Sequence, residues 1–133
     1  IDYLQLMTSG KRVENRQQEV SEFSRNLKLL AKELDVPVIA ISQLNRSPEQ
    51  RADKKPQLSD LRESGSIEQD ADMVILLHRE DLYSDMRSGE ADLMVVKHRN
   101  GPTKTITVSA QLHFSRFVDM APSSFSADSF VKD

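Results

Sequence analysis

The sequence contains no cysteine, which removes a disulfide framework and any thiolate metal site. It has no apolar run near the roughly 20 residues that cross a bilayer, so no membrane span is expected. No basic-then-apolar segment opens it, so nothing points to secretion, and a cytoplasmic location is the expectation. Positive charge is not in excess. The net charge of −3 argues against a protein that coats nucleic acid through a broadly basic face, while leaving room for one that touches it through a few loops. No internal repeat is present. His78, His98 and His113 lack metal-ligand spacing with a carboxylate partner. There is no Gly-x-Ser-x-Gly elbow, and no G-x-x-x-x-G-K-[ST] phosphate loop occurs in the 133 residues.

What is present is ordinary globular material: 38% hydrophobic and 29% charged residues, enough for one small domain or part of a larger one. Ile1-Asp2-Tyr3 reads as the end of a strand, so the chain is expected to begin within a domain. Thr8 to Asn15 is a polar loop containing Lys11 and Arg12. Asn15 and Gln18 form a helix-start pair, and Val20, Phe23, Leu27, Leu30, Ala31 and Leu34 recur at helical spacing from Arg16 to about Glu33. Val38 to Ile41 has the continuous apolar character of a buried parallel strand. Strand, helix, strand in that order predicts a right-handed βαβ unit and an α/β fold.

Ser42 to Pro56 is a long polar loop, and a short helical piece is expected around Gly65. Met73 to Leu77 reads as a second buried strand. Ala91 to Arg99 and Lys104 to Ser109 predict a hairpin across Asn100-Gly101-Pro102, with a further edge strand within Leu112 to Val118. The domain is assigned to residues 1–120, and residues 121–133, rich in Ser and Ala, to a flexible tail. Tyr83, Phe114 and Phe117 are assigned to packing.

Several residues are suited to chemistry. Asp2 ends a strand at the edge where α/β sheets bind ligands, and a carboxylate there can hold Mg²⁺ or cap a turn. Gln43 occupies the same edge on the next strand, where an amide can orient water or sense a phosphate, or simply be solvated. Lys97 and Arg99, two apart on a strand, leave one face together; they suit a phosphate held by a neighbouring subunit, or a solubilised edge. Arg62, Glu63 and Gly65 lie where a loop enters a helix, a place for backbone phosphates or a solvated turn. Lys11 and Arg12 offer a second such loop.

Five stretches, in order, resemble the motor domain of DnaB-type replicative helicases. Ile1 to Met7 resembles the Walker B segment, and Glu22 to Ala31 the helix that follows it. Val38 to Arg46 resembles the motif of the γ-phosphate-sensing glutamine, Leu58 to Asp72 the DNA-loop motif, and Lys97 to Thr103 the arginine-finger hairpin. Order and spacing agree to about Met120. The resemblance implies the C-terminal half of a RecA-like P-loop NTPase core with a C-terminal β-hairpin, and a homohexamer that uses ATP and Mg²⁺ to move along single-stranded DNA. It implies primase and helicase-loader partners. Asp2 would position Mg²⁺, Gln43 would couple hydrolysis to movement, and Arg99 with Lys97 would act on ATP bound by the adjacent subunit. Arg62, Glu63 and Gly65 would contact successive phosphates. A recombinase-like RecA ATPase shares the βαβ core and the trans cations, but Asp60 to Ser66 and the Lys97 hairpin favour the helicase. A non-catalytic module for single-stranded DNA binding or assembly is the rival from another class. In the resembled family the Walker A loop and the general-base glutamate precede the Walker B segment, so these residues alone are expected not to hydrolyse ATP.

Overall fold

The computed structural model describes residues 1–8, 10, 15–61 and 65–120. Among them, a helical layer formed by α1 (Arg16–Leu34) and α3 (Gly65–Asp70) lies against a four-stranded antiparallel sheet. The sheet contains β1 (Met73–His78), β2 (Glu90–His98), β3 (Lys104–Gln111) and β4 (Arg116–Asp119), hydrogen-bonded in that order. The α/β class and the β2–β3 hairpin agree with the sequence reading. No helix among the described residues is long and apolar enough to cross a membrane.

Helix α1 starts where Asn15 turns its side chain back to accept from the Gln17 N–H at 2.9 Å, one residue earlier than the expected partner Gln18. It stops at Asp35, which adopts the left-handed conformation that closes a helix. Its apolar stripe is buried only in its first half. Val20 is fully buried and Leu27 packs on the same cluster, whereas Leu30 and Leu34 are exposed. Arg16 anchors that end, donating to the carbonyls of Gln5 at 2.7 Å and Met7 at 2.9 Å while pairing with buried Glu19.

The buried parallel strand expected at Val38 to Ile41 takes a different form. This segment runs beside Ile1 to Leu4 through three backbone bonds: Ile1 to the Ile39 carbonyl at 2.8 Å, Ile41 to the Ile1 carbonyl at 2.9 Å, and Leu4 to the Ile41 carbonyl at 2.9 Å. The direction is parallel, but the pair lies outside the four-stranded sheet, and Ile39 and Ile41 are exposed. After Tyr3 the chain enters a short 3-10 turn, Leu4–Leu6, rather than a strand. Met73 to Leu77 also differs from a strand buried on both faces. β1 pairs only with β2, antiparallel, and buries Val74, Leu76 and His78 while exposing Met73, Ile75 and Leu77.

The buried face of β1 joins Leu4, Val20, Leu61 and Ile67 in one cluster, with Met94 and Val96 of β2 packed against it. A smaller cluster of Ala91, Val108 and Ala110, with Leu93, binds β2 to β3. Tyr83, Phe114 and Phe117, assigned above to packing, are instead exposed.

Charge closes the far end of the sheet. Arg87 donates both terminal nitrogens to Asp92 at 2.8 Å each and its Nε to Glu90 at 2.7 Å, while Thr107 Oγ1 donates to Asp92 at 2.7 Å. Asp92 is almost wholly buried. The Arg87 guanidinium overcomes the burial penalty and, helped by Thr107, lowers the Asp92 carboxyl to about 2. A carboxyl depressed from the ordinary 3.8 contributes about 2 kcal/mol, in full above roughly pH 4, and loses it as pH falls through about 2. Asp92→Asn is therefore expected to lower stability at pH 7 by about 2–3 kcal/mol and to flatten the acid limb of the stability profile. Urea titrations between pH 2 and 7 measure both effects; an acid limb unchanged by the substitution would contradict this account.

Candidate functional site

The sheet alternation and the helix caps bring the sequence-derived candidates into two regions. The first lies where Ile1 to Leu4 runs beside Ile39 to Ile41. Asp2 and Gln43 are both exposed there, on adjacent segments. Gln5 joins them, a residue that motif reasoning did not single out. Its amide donates to Ser42 Oγ at 2.9 Å and to the Gln43 carbonyl at 3.3 Å, and its oxygen accepts from the Gln43 N–H at 3.2 Å. The main chain at Gln43 is thus fixed against the segment carrying Asp2, while the Gln43 side chain faces solvent. No group of three His or carboxylate residues that could enclose a metal occurs among the described residues.

The second region is built around α3. Gly65 is its first residue, directly after the DNA-loop candidates Arg62 and Glu63, which lie outside the described residues, as do Lys11 and Arg12. A polar cleft between α1 and α3, lined by Gln18, Ser21, Arg25, Ser66 and Gln69, adjoins the ends of both basic loops. Ser66 Oγ donates to Ser21 Oγ at 2.7 Å across it. The carbonyl end of α3 receives the hairpin. Lys97 Nζ donates to the carbonyls of Glu68 and Gln69, a favourable place for a cation at a helix C-terminus. Arg99 reaches Asp72 through its Nε at 3.1 Å, and its backbone N–H donates to the Asp72 carbonyl at 2.8 Å.

Lys97 and Arg99 are therefore brought together, as expected, and Lys28 of α1 joins them. Lys28 Nζ donates to Asp72 Oδ1 at 2.7 Å and to the Asp70 carbonyl at 2.9 Å. Lys28 and Arg99 share the Asp72 carboxylate, and Lys97 lies close enough for its charge to act on it. Asp72 is held below the usual carboxylate range, first by its hydrogen bond from Lys28, then by the charges of Lys28, Arg99 and Lys97. Arg99 remains half exposed. Lys28 and Asp72 escaped the sequence reading because they are distant in the chain and belong to no common motif. At the hairpin tip, a Cβ on Gly101 would stand 2.4 Å from the His98 ring; only glycine permits this approach.

Comparison with known proteins gives a concordant result. The family model of the DnaB-like helicase C terminal domain matches residues 1–119. The replicative DNA helicase DnaB of Mycobacterium leprae is 76% identical over 123 residues, which cover 91% of this chain and 20% of that protein. A solved structure described as an ATPase domain aligns with a TM-score of 0.86 at 45% identity, covering 90% of this chain and 43% of the other. A solved DnaB-like replicative helicase, studied with its primase interactions, gives the same TM-score and identity and is covered over 29% of its length. The chain thus spans only a fraction of the proteins it matches, and within that fraction it shares the RecA-like fold of their ATPase domains. It belongs to the DnaB-like helicase C-terminal domain family.

Proposed function

We propose that this chain is part of the motor of a hexameric replicative helicase that unwinds duplex DNA by ATP-driven translocation along one strand. The observation that carries this reading is the arrangement at α3. One short helix begins at the DNA-loop motif and ends on Lys97 and Lys28, with Arg99 held on Asp72 just past it, so the parts assigned to DNA and to phosphate meet at one element. Asp2 would hold Mg²⁺ beside the ATP phosphates, and Gln43, its backbone fixed by Gln5, would report their state. Arg99, with Lys97, would stabilise charge on the phosphoryl group bound by the neighbouring subunit. Lys11, Arg12, Arg62, Glu63 and Gly65 would line the path of the strand. Bound ATP supplies the phosphoryl group; the residues here orient and neutralise it. A cytoplasmic location, and primase and a loader as partners, belong to the same reading. Without a phosphate-binding G-x-x-x-x-G-K-[ST] loop among them, these residues alone would not turn over ATP.

Two substitutions in the complete hexamer test the assignment. Arg99→Ala is expected to reduce hydrolysis by on the order of 10³-fold, with nucleotide affinity within about twofold by equilibrium titration. Parallel loss of binding would show a structural role instead. Arg62→Ala is expected to weaken single-stranded DNA binding evenly across sequences and to lower the salt slope by about one. Loss confined to particular base sequences would contradict a backbone contact.

A further inference from the structure

Between Gln43 and Arg62 the chain makes a long excursion, and its two ends meet. Leu44 and Leu61 face each other in an antiparallel bridge. Beside them, the Asn45 N–H donates to the Asp60 carbonyl at 2.8 Å. Gln43 thus immediately precedes one side of this junction and Arg62 immediately follows the other. Leu61 is itself part of the buried cluster beneath the sheet.

The excursion is closed internally by a second contact. Asp60, 2% exposed, accepts from both terminal nitrogens of Arg51, one of them at 3.3 Å, and from the Gln57 N–H at 2.6 Å. Its own N–H donates to the Gln57 carbonyl at 2.9 Å. Arg51 sits at the end of α2 (Ser47–Gln50), where its N–H caps the Pro48 carbonyl at 3.1 Å. A buried carboxylate held by a two-pronged guanidinium has a narrow range of allowed positions. A loop of this length without such a closure would absorb a displacement at one end as slack. With it, α2, Asp60 and the Leu44–Leu61 bridge move together.

We propose that the Arg51–Asp60 ion pair is a positioning element that transmits the nucleotide-dependent state of the Gln43 segment to the DNA loop beginning at Arg62. It rests on the helicase reading given above. Neither residue touches nucleotide or DNA in this scheme. Their role is to make the junction between the two motifs stiff, so that the affinities for nucleotide state and for DNA are linked.

The test uses the complete hexamer carrying Asp60→Asn, which keeps the shape and an acceptor for Gln57, and Arg51→Gln. Affinity for a fluorescent oligothymidylate is measured by anisotropy in ATPγS and in ADP, alongside nucleotide affinity, hexamer mass and melting midpoint. Both variants are expected to remain hexameric and to bind nucleotide within about twofold of the unsubstituted protein. The ratio of DNA affinities in the two nucleotide states should shrink about tenfold toward one. Should either variant fail to assemble, Arg51→Lys, which keeps the charge and loses the fork, is expected to give a smaller reduction of the same ratio. An unchanged ratio in an assembled variant overturns the proposal. So does a proportional fall of all affinities together with the melting midpoint, which marks a purely structural clasp. Equal DNA affinity in both nucleotide states for the unsubstituted protein would instead overturn the helicase reading, and the coupling with it.

Discussion

Asp72 lies between the end of α3 and the start of β1, and two other parts of the chain are tied to it. Lys28 approaches from α1, Arg99 from the end of β2, and the Asp72 carbonyl receives the Arg99 N–H. Exposed ion pairs of this kind each contribute at most about 1 kcal/mol, so the seam is not what keeps the chain folded. Stability comes from the cluster of Leu4, Val20, Leu61, Ile67, Val74 and Leu76 and from the near-buried charge network at Arg87 and Asp92. What the seam fixes is position. The Lys97 ammonium rests on the Glu68 and Gln69 carbonyls near the end of α3 and ties the hairpin to that helix.

The two faces of β1 differ in burial. Val74 and Leu76 face the helices, while Met73, Ile75 and Leu77 face outward, as do Ile39 and Ile41 on the paired segment. Apolar side chains left at 46–78% exposure contribute little to folding in their present setting. The same division appears along α1, buried at Val20 and open at Leu30 and Leu34. Helical periodicity identified the apolar stripe correctly but carries no information about how far the covering layer extends.

That distinction explains what was readable from the sequence. Helix α1, its Asn15 start and the β2–β3 hairpin were legible because local rules set them: a cap, a 3.6-residue period, and a turn between alternating strands. The family was legible as well, because its motifs are runs of contiguous residues. The antiparallel partner of β1 was not, since a short apolar run looks the same whether its neighbour runs parallel or antiparallel. Gln5, Lys28 and Asp72 act through contacts between distant parts of the chain, and Asp60 through an ion pair that no motif announces. Each is chemically ordinary in its own neighbourhood, so no local pattern marks it.

The orientation of Lys97 shows how far a non-local detail can matter. Strand alternation alone groups Lys97 with Leu93 and Val95, on the face of β2 shared with Ile75 and Leu77. The register, however, slips between Val74 and Ile75: Ile75 lies opposite Val95, but Val74 lies opposite Lys97. Val96 is the additional residue of a β-bulge, and past it the two faces exchange. Lys97 therefore joins Val74, Leu76 and Met94 on the helix-facing side, where the α3 carbonyls lie within its reach. His98 turns to the opposite side with Met73, its partner in register, and its ring occupies the space that Gly101 leaves. An unbulged β2 would aim the Lys97 side chain away from α3 and dissolve the cation cluster without altering its composition. One extra residue in a strand thus decides whether Lys97 lies at the end of α3 with Lys28 and Arg99.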